Sequence, residues 1–349
     1  MGRLGVNEES KFLKLFNILD KLLVYNEAVI LKKGIVKKQQ LSNLKAHLYK
    51  QILISLRLNP SHQDIRIQIR EQLDFATILY HKGLYKQSLK ILDKAKNLAI
   101  SNEEKNVAYE IVELEKIIES QYITRSISNR ADELTIQAKE LSLQNVLASK
   151  LSNLSLQLYG LFLKTGYVKN DEEYQIIDKY YHDRLPKYDI NKLGFREKLW
   201  LYKAKLWYSF LTVDFLSCYK FASKWVDLFY ENQDMIKLNP VFFLRGNHYL
   251  LEALFYLRQY DKFKETLSKF EVVTQEKWFP LDDNTESLAF LYIYNNKFNL
   301  HFIEGSFENG LPLIEEVLEK LKNYKNRIDE HHIMVFYYKM ASMYFGAGD

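Results

Sequence analysis

A turn between two helical patterns recurs along this chain, and it restricts the fold more than any other feature of the sequence. In residues 72–100, QLDFATILYHKGLYKQSLKILDKAKNLAI, apolar residues follow helical spacing on both sides of a short break, KGLY, at residues 82–85. Small side chains at Ala76, Ser88 and Ala95 would let the two helices approach closely. The segment therefore predicts two antiparallel helices joined by a tight turn.

Aromatic residues mark corresponding turns at Tyr85, Phe215, Tyr260 and Phe307. The last three are 45 and 47 residues apart, and the 130 residues between the first two divide into three steps of about 43. That division places turns near residues 128 and 171, where breaker-rich stretches occur at 126–129 and 166–170, and an earlier turn is expected at 34–36. The spacing predicts an all-α chain: an α-α superhelix of about seven long, degenerate helical hairpins, followed by the first helix of an eighth.

The segment at residues 72–100 resembles a tetratricopeptide repeat. The standard repeat has about 34 residues, so the hairpins of this chain are longer than those of the family. The stretches LFNILDKLLVYNE, LKAHLYKQILISLR and ILYHKGLYKQSLKILDKAKNLA are together similar to a group of tetratricopeptide-like proteins from Bacteroidota-type bacteria. This second resemblance covers about the first hundred residues and implies no activity.

Charge is distributed unevenly along the chain. Residues 1–100 carry 18 lysines and arginines against 8 acidic residues, although the net charge of the whole chain is only +5. We therefore expect a basic N-terminal helical hairpin over residues 1–62 and a tetratricopeptide-like solenoid over residues 63–349. Because the chain stops just as a further turn begins, we expect the solenoid to be truncated after the first helix of that repeat.

Cysteine usage and hydropathy indicate a compartment. A single cysteine in 349 residues excludes a disulfide framework and is typical of a reducing environment. No run approaches the ~20 apolar residues of a membrane-spanning helix, and acidic residues occupy the start, where a signal peptide is apolar. We expect a cytoplasmic protein without a membrane span.

No sequence pattern for catalysis is found. The phosphate-loop, dinucleotide-binding, GxSxG and HExxH patterns are all missing from the sequence. Cys218 falls at a small, buried helical position and is interpreted as a packed thiol. His331 and His332 are adjacent and would point about 100° apart on a helix, so they cannot share a metal ion. The chain is predicted to be non-enzymatic, with no cofactor and no metal.

The resemblance implies a concave groove lined by the first helix of each hairpin. The residues that it places in this groove are Trp200, Lys203, Trp207 and Phe210, then Arg245, His248, Glu252 and Phe255, and finally Tyr292, Asn295, Asn299 and Phe302. Trp, Tyr and Arg are the residues that most often anchor interfaces, and the two asparagines, one turn apart, could pair with the backbone of a peptide. For each aromatic residue, the alternative is a place in the core between long hairpins.

Two functions of different class follow from the sequence. The first is a protein-interaction scaffold that binds a peptide or a partner helix in the aromatic groove. The alternative is a regulator that binds nucleic acid or an acidic surface through the basic end of the chain, where salt would weaken binding steeply. No acidic residue lies between Glu27 and Asp64, and the basic residues of that stretch are Lys32, Lys33, Lys37, Lys38, Lys45, Lys50 and Arg57.

Overall fold

The computed structural model describes residues 10–22, 24–58, 64–121, 129–324 and 327–348. Every regular element in these ranges is a helix, so the all-α prediction is confirmed. The chain forms two compact units, residues 1–95 and residues 96–349, and each is described by itself. The predicted division at residue 62 stays a prediction.

The first unit contains a small helical cluster followed by a helical hairpin. Its helices are α1 (Lys11–Leu19), α2 (Glu27–Lys32), α3 (Lys38–Arg57) and α4 (Ile65–His81), together with most of α5 (Tyr85–Ser101). Leu15, Ile30, Leu41 and Leu48 form the buried core of the cluster. The chain turns at Gly34 between α2 and α3 and at Gly83 between α4 and α5, and both glycines adopt a positive φ. The predicted turns at residues 34–36 and 82–85 are therefore confirmed.

The hairpin of α4 and α5 shows why small residues recur in this segment. The hydroxyl of Ser88 donates a hydrogen bond of 2.8 Å to the backbone carbonyl of Ala76. Ala76 and Ser88 are both fully buried. A side chain larger than alanine at residue 76 would separate the two helices and break this bond.

The second unit is a series of helices that pack mainly on their neighbours in the sequence, in the manner of an α-α superhelix. Its helices are α6 (Lys105–Gln121), α7 (Arg130–Thr165), α8 (Asp171–Arg184), α9 (Phe195–Leu211), α10 (Phe215–Glu231), α11 (Asp234–Leu238), α12 (Pro240–Tyr256), α13 (Tyr260–Gln275), α14 (Asp283–Glu304), α15 (Phe307–Tyr324) and α16 (Glu330–Ala347). A short 3-10 helix, Ile190–Lys192, precedes α9.

Three turns lie where the aromatic spacing predicts them. They join α9 to α10, α12 to α13 and α14 to α15, and each contains one residue with a positive φ: Val213, Arg258 or Gly305. Val213 is β-branched, and a β-branched residue rarely adopts a positive φ. At the first turn, the Asp214 side chain accepts a hydrogen bond of 3.0 Å from the backbone of Ser217, which caps α10.

One predicted boundary is wrong. The turn spacing requires two helices between residues 128 and 166, but α7 is a single helix of 36 residues, about 54 Å long. Residues 131–159 contain no glycine or proline, so nothing in the local sequence ends the helix. Its first residue, Arg130, contacts Glu115 on α6, and Phe162 near its end contacts Trp207 on α9. The turn at 166–170 is confirmed, whereas the turn predicted at 126–129 lies almost wholly outside the described residues.

Buried carboxylates of Glu115 and Glu197 form ion pairs between helices of the second unit. Lys96 Nζ lies 2.6 Å from Glu115 Oε2, and Arg130 Nη2 lies 3.3 Å from the other oxygen of the same carboxylate. Lys105 on α6 reaches Glu197 on α9 at 3.1 Å, and the side chain of Glu197 is only 2% exposed. Removing one partner of such a pair is strongly destabilising, so these residues are assigned to the fold.

Candidate functional site

The structure forms an aromatic cavity of about 550 Å³ between α7, α9, α12 and the start of α16. We use the name aromatic cavity for the space lined by Tyr159, Phe162, Leu163, Tyr167, Trp207, Phe210, His248, Tyr249, Glu252, Tyr256, Asp329, His331 and His332. Four residues that the sequence places in a groove, Trp207, Phe210, His248 and Glu252, meet here. The structure thus brings together predicted groove residues of α9 and α12, of which Trp207 and His248 are 41 positions apart along the chain.

Trp207 lies at the centre of the aromatic wall. Its ring centroid is 4.8 Å from that of Tyr159, 5.4 Å from that of Phe162 and 5.4 Å from that of Tyr249. Although the residue is only 5% exposed, its indole N–H has no hydrogen-bond acceptor within the described part of the chain. A buried donor of this kind usually has a partner, so the enclosed N–H of Trp207 is an unsatisfied donor within the cavity wall.

Glu252 and His248 form the polar part of the cavity. His248 Nε2 lies 3.6 Å from Glu252 Oε1, one helical turn away on α12. A third of the Glu252 side chain is exposed, yet the carboxyl lies among the cavity walls, and burial raises its pKa to about 7, opposed by the charge of Lys339. Burial, with the nearby charges of Lys339, His332 and Arg245, lowers the pKa of His248 to about 3, so this imidazole is neutral at physiological pH.

Two basic residues lie about one helical turn before the cavity residues of α9 and α12. We use the name cation pair for Lys203 on α9 and Arg245 on α12, each of which is partly buried. Lys203 Nζ lies 4.9 Å from the ring centroid of Trp200 and 5.6 Å from that of Phe242, and these two rings contact each other at 5.3 Å. Arg245 Nε donates a hydrogen bond of 3.2 Å to the hydroxyl of Tyr292. Lys203 therefore lies over two aromatic rings, whereas Arg245 contacts a tyrosine hydroxyl of α14.

The predicted groove residues of α14 have a different environment. Tyr292 is 6% exposed and stacks on the imidazole of His248, with ring centroids 4.6 Å apart. Asn299 Oδ1 accepts a hydrogen bond of 2.6 Å from Lys339 on α16, and the backbone carbonyl of Asn295 accepts a second bond of 3.0 Å from the same ammonium. The side chain of Asn299 and the backbone of Asn295 bind α16, and both side chains are buried, so neither presents its amide to a peptide in this structure.

Sequence analysis missed the contribution of α7 to the cavity. Tyr159, Phe162 and Leu163 lie near the end of this helix, in a region where the repeat register could not be set from the turns. These three residues were themselves the available signal, since Phe162 and Leu163 follow Tyr159 at spacings of three and four residues, as one face of a helix requires. Tyr249 was also missed, because it follows the selected residue His248, and His332 was missed because the register selected no position on α16.

The basic residues of the first unit do not form one face. On α3, Lys38 and Lys45 lie on one side, whereas Lys50 and Arg57 are displaced around the helix by about 100–120°. Lys45 donates a hydrogen bond of 3.1 Å to the hydroxyl of Tyr25, and Arg57 lies 3.1 Å from Asp74. Lys32, Lys33 and Lys37 are exposed at the end of α2 and before α3. Binding of nucleic acid by these residues stays a prediction.

Comparison of the chain with protein-family models, with curated proteins and with solved structures found no match. The resemblance to tetratricopeptide repeats therefore stays a prediction.

None of the helices within the described ranges is both long and apolar enough to span a membrane. Among the same residues, no three His, Cys, Asp or Glu side chains are grouped so that they could hold a metal ion. Cys218 is buried, and burial raises the pKa of its thiol.

Proposed function

We propose that this protein is a non-enzymatic scaffold that binds a peptide segment of a partner protein, with one large side chain of the peptide in the aromatic cavity. The observation that carries the proposal is the cavity itself, in which aromatic rings from four helices surround about 550 Å³. Pockets that bind small ligands or side chains have volumes of about 300–1,000 Å³ and are lined mainly by apolar and aromatic groups. One or two peptide side chains would fill this space.

The polar groups of the cavity are suited to binding a peptide. Trp207 contributes its indole ring to the cavity wall, while its N–H is enclosed and lacks an acceptor in the described residues. Glu252 lies beside it as an acceptor for a backbone N–H or for a donor on the inserted side chain. A few polar groups of this kind fix the orientation of a ligand, while the aromatic area supplies most of the affinity.

The position of the cavity between several helices also supports the binding of a peptide. Its walls come from α7, α9, α12 and α16, whose residues are far apart in the sequence. The relative positions of these helices are set by the fold, so the cavity is formed without a ligand. Preformed sites of this kind lose little conformational entropy when a ligand binds.

The test is selection from a displayed library of random peptides with the purified chain. Leu163 lines the cavity and is 65% exposed, so Leu163→Glu adds a charge at the site with little effect on the core. Leu143 is 61% exposed on the same helix and lies about 30 Å away, so Leu143→Glu is a matched control. We expect selected peptides to bind Leu163→Glu at least about tenfold more weakly than wild type, and Leu143→Glu within about twofold of it.

Two results would contradict the proposal. One is failure of the wild-type chain to enrich any peptide above the background of the library. The other is equal binding of the enriched peptides by wild type and Leu163→Glu, since a peptide in the cavity must contact the new carboxylate. Circular dichroism and thermal unfolding of both variants establish that the fold is unchanged.

A further inference from the structure

The cation pair lacks the partner that buried cations ordinarily have. Lys203 and Arg245 are partly buried, but neither forms an ion pair with a carboxylate in the part of the chain that the structure describes. Buried charges in proteins are usually paired. By contrast, the buried cations Lys96 and Lys105 in the same unit each have a carboxylate within about 3 Å. Lys339 also lacks a carboxylate partner among the described residues, but its ammonium donates to Asn299 and to the carbonyl of Asn295, whereas Lys203 Nζ lies over aromatic rings.

Lys203 and Arg245 lie near each other, since Lys203 Nζ contacts the ring of Phe242, which precedes Arg245 by three residues on α12. The two charges also act on each other. Burial lowers the pKa of Lys203 to about 8, and the positive charge of Arg245 lowers it further in the same direction. Such an arrangement destabilises the protonated ammonium unless an anion is present. Because Tyr292 accepts a hydrogen bond from Arg245 Nε, the terminal nitrogens of the guanidinium keep their donors for a ligand.

We propose that the cation pair binds the phosphate group of a phosphorylated side chain in the peptide. This inference rests on the proposed function, since the same peptide fills the aromatic cavity. A phosphorylated side chain carries a charge of about −1.5 to −2 and has three acceptor oxygens, which matches two adjacent cations. A single carboxylate would neutralise only one of them.

The distance between the cation pair and the aromatic cavity predicts how far apart two side chains of the peptide must be. Arg245 and Glu252 are seven residues apart on α12, which is about 10 Å along the helix axis. An extended peptide covers this distance in about three residues. We therefore expect a large aromatic or apolar side chain two to four positions from the phosphorylated residue.

The phosphate-binding proposal is tested with degenerate nine-residue peptide libraries that differ only in the central residue: phosphoserine, glutamate or serine. Both ends of these peptides are blocked, and a further serine library has a free C-terminal carboxylate. Peptides retained by the wild-type chain are sequenced and their Kd values are measured by fluorescence anisotropy. We expect phosphoserine peptides to bind about tenfold or more tightly than their glutamate counterparts, with the large side chain at the stated spacing.

Lys205 provides a matched control for Lys203. It lies on the same helix and also contacts two rings, with Nζ 5.6 Å from the ring centroid of Tyr188 and 5.1 Å from that of Phe221. We expect Lys203→Gln and Arg245→Gln each to weaken phosphopeptide binding at least about tenfold, because each removes a charged hydrogen-bond donor. Lys205→Gln should bind like wild type. Since Arg245→Gln also loses the bond to Tyr292, Arg245→Lys is measured beside it and should retain part of the affinity.

The outcomes separate this inference from the proposed function. Equal binding of phosphoserine and glutamate peptides, preference for the free C-terminus, or equal losses in Lys203→Gln and Lys205→Gln would each overturn phosphate binding. In all three cases, sensitivity to Leu163→Glu would still support a peptide in the aromatic cavity. If the wild-type chain retains no library, both proposals are wrong.

Discussion

The ammonium of Lys339 lies 2.6 Å from the side-chain oxygen of Asn299 and thereby connects α16 to α14. The same ammonium donates to the backbone carbonyl of Asn295 at 3.0 Å. Burial lowers the pKa of Lys339 to about 8, while the nearby charge of Glu252 raises it. Because α16 carries His331 and His332 at the edge of the aromatic cavity, this bond helps to hold one wall of the candidate site in place.

Asn299→Ala is expected to lower the free energy of unfolding by about 2 kcal/mol, because a partly buried ammonium loses a charge-assisted hydrogen bond. Hydrogen exchange in α16 should become faster in this variant. Asn295→Ala is the matched control: its side-chain oxygen has no hydrogen-bond partner in the described residues, and the backbone carbonyl that binds Lys339 remains. We expect a loss below about 1 kcal/mol for the control. Equal losses in denaturant unfolding would contradict the different roles assigned to the two asparagines.

Gly246 is a second structural residue, since it allows α12 to approach the indole of Trp225 on α10. A Cβ atom at this position would lie 2.9 Å from both Cδ1 and Nε1 of the fully buried ring. Gly246→Ala should therefore destabilise the protein by about 1–2 kcal/mol, because steric overpacking outweighs the higher helix propensity of alanine. Gly160 on α7 has no heavy atom within 4 Å of the corresponding Cβ position. Gly160→Ala should stabilise by about 0.5–1 kcal/mol, and urea unfolding that gave the same sign for both variants would disprove the argument.

The pKa of Glu252 predicts a pH dependence of stability. Its folded-state value of about 7 lies above the ordinary value of 4.5, so the folded chain binds the proton more tightly than the unfolded chain. Stability contributed by the protonated carboxyl is fully present below about pH 4.5 and is lost as pH rises through 7. Glu252→Gln should remove this loss, and its unfolding free energy should exceed that of wild type by about 1 kcal/mol at pH 7.5 but not at pH 4.5.

The expected gain in unfolding free energy for Glu252→Gln is smaller than the full pKa shift implies, because a third of the side chain is exposed and solvent screens its charge. The titration of His248 overlaps part of this range: its pKa is lowered to about 3, so the stability from its neutral form is lost as pH falls. Subtracting the wild-type curve from the Glu252→Gln curve removes that contribution. A difference that stays constant from pH 4.5 to pH 7.5 would show that the carboxyl titrates normally.

The sequence by itself determined the helical class and most of the turns. Gly83 and Gly305 lie at turns because a positive φ is favourable for glycine, and such local preferences do not depend on distant residues. The aromatic spacing at Phe215, Tyr260 and Phe307 placed three hairpins correctly, since each of these residues begins the second helix of its hairpin. Burial of Cys218 also followed from its position on the helix.

Only the tertiary structure decided which groove residues meet and which are covered. Lys203 and Arg245 both stood in the predicted groove, but their positions relative to each other depend on how α9 and α12 pack through Trp200 and Phe242. Asn299 was also a predicted groove residue, yet it binds Lys339, which is 40 positions further along the chain. A repeat register fixes the direction of a side chain on its own helix, whereas its partners depend on the distance and rotation between helices, which long-range packing sets.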